Sequence, residues 1–124
     1  MPRLLLIDDE PDLLHALTVR LTIAGFNCQI AKTGREGMEQ IRRQPPDLII
    51  SDLLMPDLNG YELCQQLQAD TRTASIPIII LTAVPKQAVD RKGKLVGKVK
   101  LMHKPFDSAI LLSTVQEVLA EESS

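Results

Sequence analysis

Tryptophan is absent from this 124-residue chain, and only one tyrosine and two phenylalanines are present. So few rings leave no platform on which successive bases could stack, which excludes single-strand nucleic-acid binding of that kind. The core must be aliphatic, and at 44% hydrophobic residues the chain has the apolar material for one domain of this length. Cysteine is scarce as well. Cys28 and Cys64 lie far apart and outside any CxxC spacing, which disfavours a disulfide framework or a zinc site and leaves two small, partly buried hydrophobes in a reduced cytoplasm. His15 and His103 are not spaced as metal ligands and read as surface or half-buried side chains. No apolar run is long enough to span a bilayer. The run at residues 4–7 is cut off by acids at once, unlike a signal peptide. A large charge of one sign is missing too: the net charge is −2 and the pI near 5.6, which argues against a whole-chain binder of nucleic acid or anionic membrane. The expectation is a cytoplasmic protein with no membrane association.

What is present is a repeating pattern. Residues 4–7, 48–50 and 76–81 are short, continuously apolar runs bounded by charge or turn residues, as expected of strands buried on both faces of a parallel sheet. Residues 27–31 and 99–102 are weaker strand candidates. Between them lie helical patterns. Leu13, Leu14, Leu17, Leu21 and Ala24 recur at helical spacing before Gly25. Residues 34–43 and 61–70 read as further helices, and 86–96 as one whose apolar face is thin and interrupted by Gly93 and Gly97. The last apolar stripe runs from Ile110 to Leu119. Strand and helix thus alternate five times, which predicts a three-layer α/β/α fold, doubly wound around a five-stranded parallel sheet. The whole chain, 1–124, is expected to be one domain with a frayed tail over 119–124.

In such sheets ligands bind beyond the carboxyl ends of the strands. Asp8, Asp9 and Glu10 follow the first strand, Asp52 the third, Thr82 the fourth and Lys104 the fifth. Carboxylates crowded together repel, and either take up protons or recruit a cation. Mg²⁺ suits such a set, because it favours oxygen ligands and keeps several waters. An acid cluster with a hydroxyl and an ammonium nearby is poised for phosphoryl transfer, with Asp52 as nucleophile. Read alone, Asp8–Glu10 could cap the next helix, Thr82 could cap the following segment, and the Asp57–Gly60 stretch, with its Asn59-Gly60 step, is turn chemistry.

The strings Leu5-Leu6-Ile7-Asp8-Asp9-Glu10, Asp52-Leu53-Leu54-Met55-Pro56-Asp57-Leu58-Asn59-Gly60, Leu81-Thr82-Ala83 and Lys104-Pro105-Phe106 resemble the receiver domain of bacterial two-component response regulators. The resemblance covers nearly the whole chain. It implies a flavodoxin-like fold with strand order 2-1-3-4-5 and an aspartyl phosphate on Asp52, donated by a sensor histidine kinase or a phosphotransfer protein. It implies that Thr82 and Lys104 act on the phosphoryl group, and that the Lys104-Pro105 bond is cis. It puts Mg²⁺ on Asp9, Asp52 and the backbone carbonyl of Leu54, with Asp8 acting through water. Such a domain is not an enzyme on outside substrates; it catalyses only its own phosphorylation and dephosphorylation.

Three departures stand out. Leu101 occupies a position where the family usually has a switching aromatic. Leu54 and Val84 are apolar where many relatives carry polar groups that help water attack, which predicts a slowly hydrolysed phosphoryl group. Residues 86–104 hold seven Lys/Arg against Asp90 alone. Such a run reads most simply as a solvated charged face; the resemblance places the output face there, which would suit an effector domain or an acidic protein partner, and homodimerisation stays open. Direct contact with nucleic acid by this domain is not expected. Three other readings compete. A haloacid-dehalogenase-type phosphatase would need an acid where Leu54 stands. A flavodoxin-like cofactor binder would need a Gly/Ser/Thr loop where Asp8–Asp12 stands. A degenerate receiver would bind partners without phosphorylation.

Overall fold

In the computed structural model, which describes residues 1–85, 87–89 and 93–122, strands and helices alternate. The strands β1 (Arg3–Ile7), β2 (Asn27–Ala31), β3 (Leu48–Asp52), β4 (Ile78–Thr82) and β5 (Val99–His103) form one parallel sheet. Their order is β2-β1-β3-β4-β5, the flavodoxin-like order. Helices α1 (Pro11–Ile23), α2 (Gly34–Arg43) and α3 (Gly60–Gln68) and a C-terminal helix (Ser108–Glu122) cover its two faces.

Successive residues of a strand point to opposite faces, so a sheet covered on both sides needs unbroken apolar strands. On one face Leu5, Ile7, Ile49, Ile78 and Ile80 pack with Met38 and Ile41 of α2 and Leu63 and Leu67 of α3. On the other, Leu4, Leu6, Leu48, Ile50 and Leu81 pack with Leu14 and Leu21 of α1 and Leu111 and Val115 of the C-terminal helix. Each such side chain contributes roughly 1.5–3 kcal/mol by leaving water. The edge strands β2 and β5 are partly exposed, which explains their weaker sequence signal. At the free side of β2, the Gln40 side-chain amide donates to the carbonyl of Ile30 at 3.0 Å.

Local chemistry sets the helix ends. At the end of α1, Gly25 adopts φ +101°; its N–H donates to Thr22 O, and the Phe26 N–H reaches back to Leu21 O. That is a Schellman motif, which a side chain at residue 25 would strain. Asn59 and Glu62 form a capping box at the start of α3. Pro77 lies outside the strand expected from residue 76, since it has no N–H for the ladder, although its carbonyl still accepts from Ile49 N–H.

Residues 119–122 form the last turn of the C-terminal helix, where Glu122 pairs with Lys98 at 2.8 Å. Of the helix expected over 86–96, residues 87–89 are helical and 93–96 are not. Residues 86, 90–92 and 123–124, which include part of that helix, part of the basic run and the end of the tail, lie outside the described residues. No helix among the described residues is long and apolar enough to cross a membrane.

Candidate functional site

The sheet order reverses between β1 and β3, and the loops leaving these strands border one crevice. Parallel register carries Ile7 beside Ser51, Asp52 beside Leu81 and Thr82 beside His103, so the strand ends are level. Asp8, Asp52, Thr82 and Lys104 therefore meet at the same rim.

Lys104 Nζ lies 3.2 Å from Asp52 Oδ2, 3.4 Å from Asp8 Oδ2 and 3.4 Å from Glu10 Oε1. Carboxylate oxygens of Asp8, Glu10 and Asp52 all lie within 4.8 Å of one another. Burial pushes the Asp8 carboxyl above its ordinary value, and the Asp52 charge adds to this; the Glu10 N–H and Lys104 recover only part. Burial alone would depress the Lys104 ammonium, but the charges of Asp52 and Asp8 outweigh it and hold it above the usual lysine value. Three acids facing one ammonium leave a net −2 at the rim when all are ionised. An all-oxygen donor set of that charge fits a hard divalent cation.

Asp9, assigned by the resemblance as a direct ligand, is exposed and stands outside this group; Glu10 stands within it. The turn after β1 places Glu10 in the group. Asp8 Oδ1 accepts the Glu10 N–H at 2.9 Å, which brings residues 8 and 10 side by side. The sequence placed Glu10 in the acidic run but offered no sign that it would share Lys104.

Asp52 Oδ1 accepts the Leu54 N–H at 3.3 Å while Oδ2 faces Lys104. The Leu54 side chain is exposed. Thr82 is buried, and its Oγ1 accepts the Val84 N–H at 2.9 Å. The capping role is thus real, and the hydroxyl proton remains free to donate elsewhere. The Lys104 N–H donates to Thr82 O at 2.8 Å, and the Lys104-Pro105 peptide is cis. Burial pushes the Cys64 thiol up to about 11, in keeping with an inert core position.

Asp57 does more than turn the chain. Its carboxylate accepts N–H bonds from Gly34 at 3.1 Å, Arg35 at 3.0 Å and Leu58 at 2.8 Å, tying the loop after Asp52 to the start of α2. Desolvation would raise its carboxyl, but the donors of Arg35, Gly34 and Leu58 outweigh it and hold it below the ordinary carboxylate range. A carboxyl lowered by folding contributes stability that is present above about pH 4, the unfolded value, and is lost as pH falls through the folded one. Asp57→Ala is expected to cost about 1 kcal/mol in urea unfolding at pH 7. The gap from wild type should close below about pH 4.

The basic run is less uniform than its sequence suggests. Among its described members Lys104 faces the acids and Lys98 is neutralised by Glu122, while Lys94 and Lys100 are exposed.

Comparison with known proteins gives a consistent picture. The family model described as the response regulator receiver domain matches residues 4–116. The chain is 37% identical over 119 residues to the DNA-binding dual master transcriptional regulator RpaA of Synechocystis, covering 96% of this chain and 49% of that protein. It is 36% identical over 120 residues to protein PilH of Pseudomonas aeruginosa, covering 97% and 99%. It thus spans about half the length of several curated relatives and nearly all of PilH. Among solved structures, the signal receiver domain of a signal transduction histidine kinase from Syntrophus aciditrophicus aligns with TM-score 0.89 and 30% identity, covering 98% of this chain and 92% of that one. Chemotaxis protein CheY4 of Vibrio cholerae aligns with TM-score 0.86 and 30% identity, covering 95% and 98%.

Proposed function

Because the chain belongs to the response regulator receiver domain family, we propose that it is a phosphoryl-accepting switch that takes its phosphoryl group on Asp52. Receiver domains are signalling domains, and no turnover of outside substrates is assigned to this one. The observation that carries the reading is the meeting of Asp52 with Asp8, Glu10 and Lys104 at the sheet's switch point.

Each residue then has a chemical part. An Asp52 carboxylate oxygen attacks phosphorus, an O–P bond forms, and the bond to the donor's leaving group breaks. The phosphoryl group arrives from a histidine kinase or phosphotransfer protein, or from a small phosphodonor. Lys104 stays charged and offsets the negative charge that gathers on the phosphoryl oxygens. Thr82, whose Oγ1 is held by the Val84 N–H, turns its hydroxyl proton to one of those oxygens. Asp9, Asp52 and the Leu54 carbonyl would hold Mg²⁺ directly, with Asp8 acting through water and Glu10 a further acid beside them. Bound there, Mg²⁺ supplies charge neutralisation for the phosphoryl oxygens. The degenerate-receiver reading gains nothing from a site whose acids and lysine are all in place.

The remaining assignments follow the same reading. The domain works in the cytoplasm, and the region 86–104 meets an effector domain or an acidic partner, with Lys94 and Lys100 as its exposed cations. The test is intact mass after incubation with acetyl phosphate and Mg²⁺. The same sample gives the lifetime. With Leu54 exposed beside Asp52 and Val84 buried behind Thr82, no side chain at either position can orient an attacking water. Loss of the phosphoryl group should take minutes or longer; decay within seconds in Mg²⁺ buffer without a phosphatase would contradict this.

A further inference from the structure

Leu101 stands where the resemblance leads one to expect an aromatic switch, and it is already packed against the core. A different ring, that of Tyr61, contacts the chain after β4. Gly60 N–H donates to the carbonyl of Leu53, the neighbour of Asp52, at 2.7 Å. The approach is close enough that a Cβ on Gly60 would sit 2.9 Å from Leu53 Cδ1 and 3.2 Å from its Cα. The next residue, Tyr61, is buried and donates its hydroxyl to the Val89 carbonyl at 2.5 Å. Its ring also lies under Gly93, where a Cβ would meet Tyr61 Cδ1 at 2.9 Å. The chain that Tyr61 grips is held at its other end by the site itself, since Val84 N–H donates to Thr82 Oγ1 and Val89 N–H to Pro85 O.

We infer that Tyr61 is a positioning residue that links the chain after β4, at Val89 and Gly93, to the loop that follows Asp52. This rests on Asp52 being the phosphoacceptor. When Thr82 turns toward a phosphoryl group, the pull on Val84 reaches a segment whose far end is fixed by Tyr61 to Leu53 through Gly60. The segment therefore responds to both sides of the site at once. Position 101 contributes packing only.

The experiment phosphorylates wild type, Tyr61→Phe, Gly93→Ala and Leu101→Ala with acetyl phosphate and Mg²⁺, reading intact mass and amide hydrogen exchange at residues 87–89 and 93–96. All four should gain the same mass. Wild type and Leu101→Ala should show the same change in exchange on phosphorylation, and Tyr61→Phe and Gly93→Ala should lose it. Before phosphorylation, Tyr61→Phe should exchange about fivefold faster at this segment, as expected for one lost hydrogen bond. Tyr61 is the sole tyrosine and there is no tryptophan, so its emission in wild type should shift with the mass gain. A wild-type response in Tyr61→Phe, or its loss in Leu101→Ala, overturns the inference while leaving Asp52 as acceptor. Absence of mass gain in wild type overturns the assignment of Asp52, and this inference with it.

Discussion

Acetyl phosphate and Mg²⁺ are expected to add one phosphoryl group to the wild-type chain and none to Asp52→Ala. The effect should be all or none because the other acids at the rim are committed. Asp8 is buried, with one oxygen on the Glu10 N–H and the other on Lys104. Glu10 shares the same ammonium from an exposed position. Asp52 lies at the end of β3, fixed by the Leu54 N–H and Lys104 but still open to solvent on one side. A nucleophile needs that combination of fixed orientation and access. Chelating the metal should suppress the gain in wild type. Equal gain in Asp52→Ala would move the acceptor to another carboxylate and end the assignment.

Removing Lys104 from among the acids should be costly in a different way. Lys104→Met keeps most of the side chain's bulk but leaves Asp8, Glu10 and Asp52 facing one another uncompensated. With Asp8 buried and Lys104 itself largely so, Mg²⁺-free unfolding at neutral pH is expected to fall by about 3 kcal/mol, the low end for breaking a buried pair. The pH dependence has a definite sign. Lys104 titrates above its unfolded value, so its contribution is complete below about pH 10 and is lost as pH rises through the folded value. In acid the gap should also narrow, because the carboxylates take up protons and stop repelling. Added Mg²⁺ should restore part of the loss. A variant as stable as wild type at pH 7 without metal would show that the acids are not strained.

Much of this was legible before any coordinates. The runs at residues 4–7 and 48–50 announced two-sided burial because both faces of the sheet are covered, and the acids after them announced a crevice. The resemblance supplied the strand order, which alternation alone does not determine. The sequence was weaker where tertiary contacts decide. Glu10 joins the acid group through a turn held by Asp8, and nothing in the linear string distinguishes it from Asp9 in that respect. Asp57 passed for turn chemistry because its partners, Gly34 and Arg35, are more than twenty residues away. Tyr61 carried no signal of its role in the sequence, since its hydroxyl partner at Val89 is a backbone carbonyl that no side-chain pattern reveals.

The bond from Gln40 to Ile30 bears on solubility. A border strand with a free carbonyl is a template on which another chain can extend the sheet. Here that acceptor is already occupied from within, by a side chain reaching over from α2. A foreign strand would have to evict the amide before it could dock, so this margin resists the runaway stacking to which open sheets are prone.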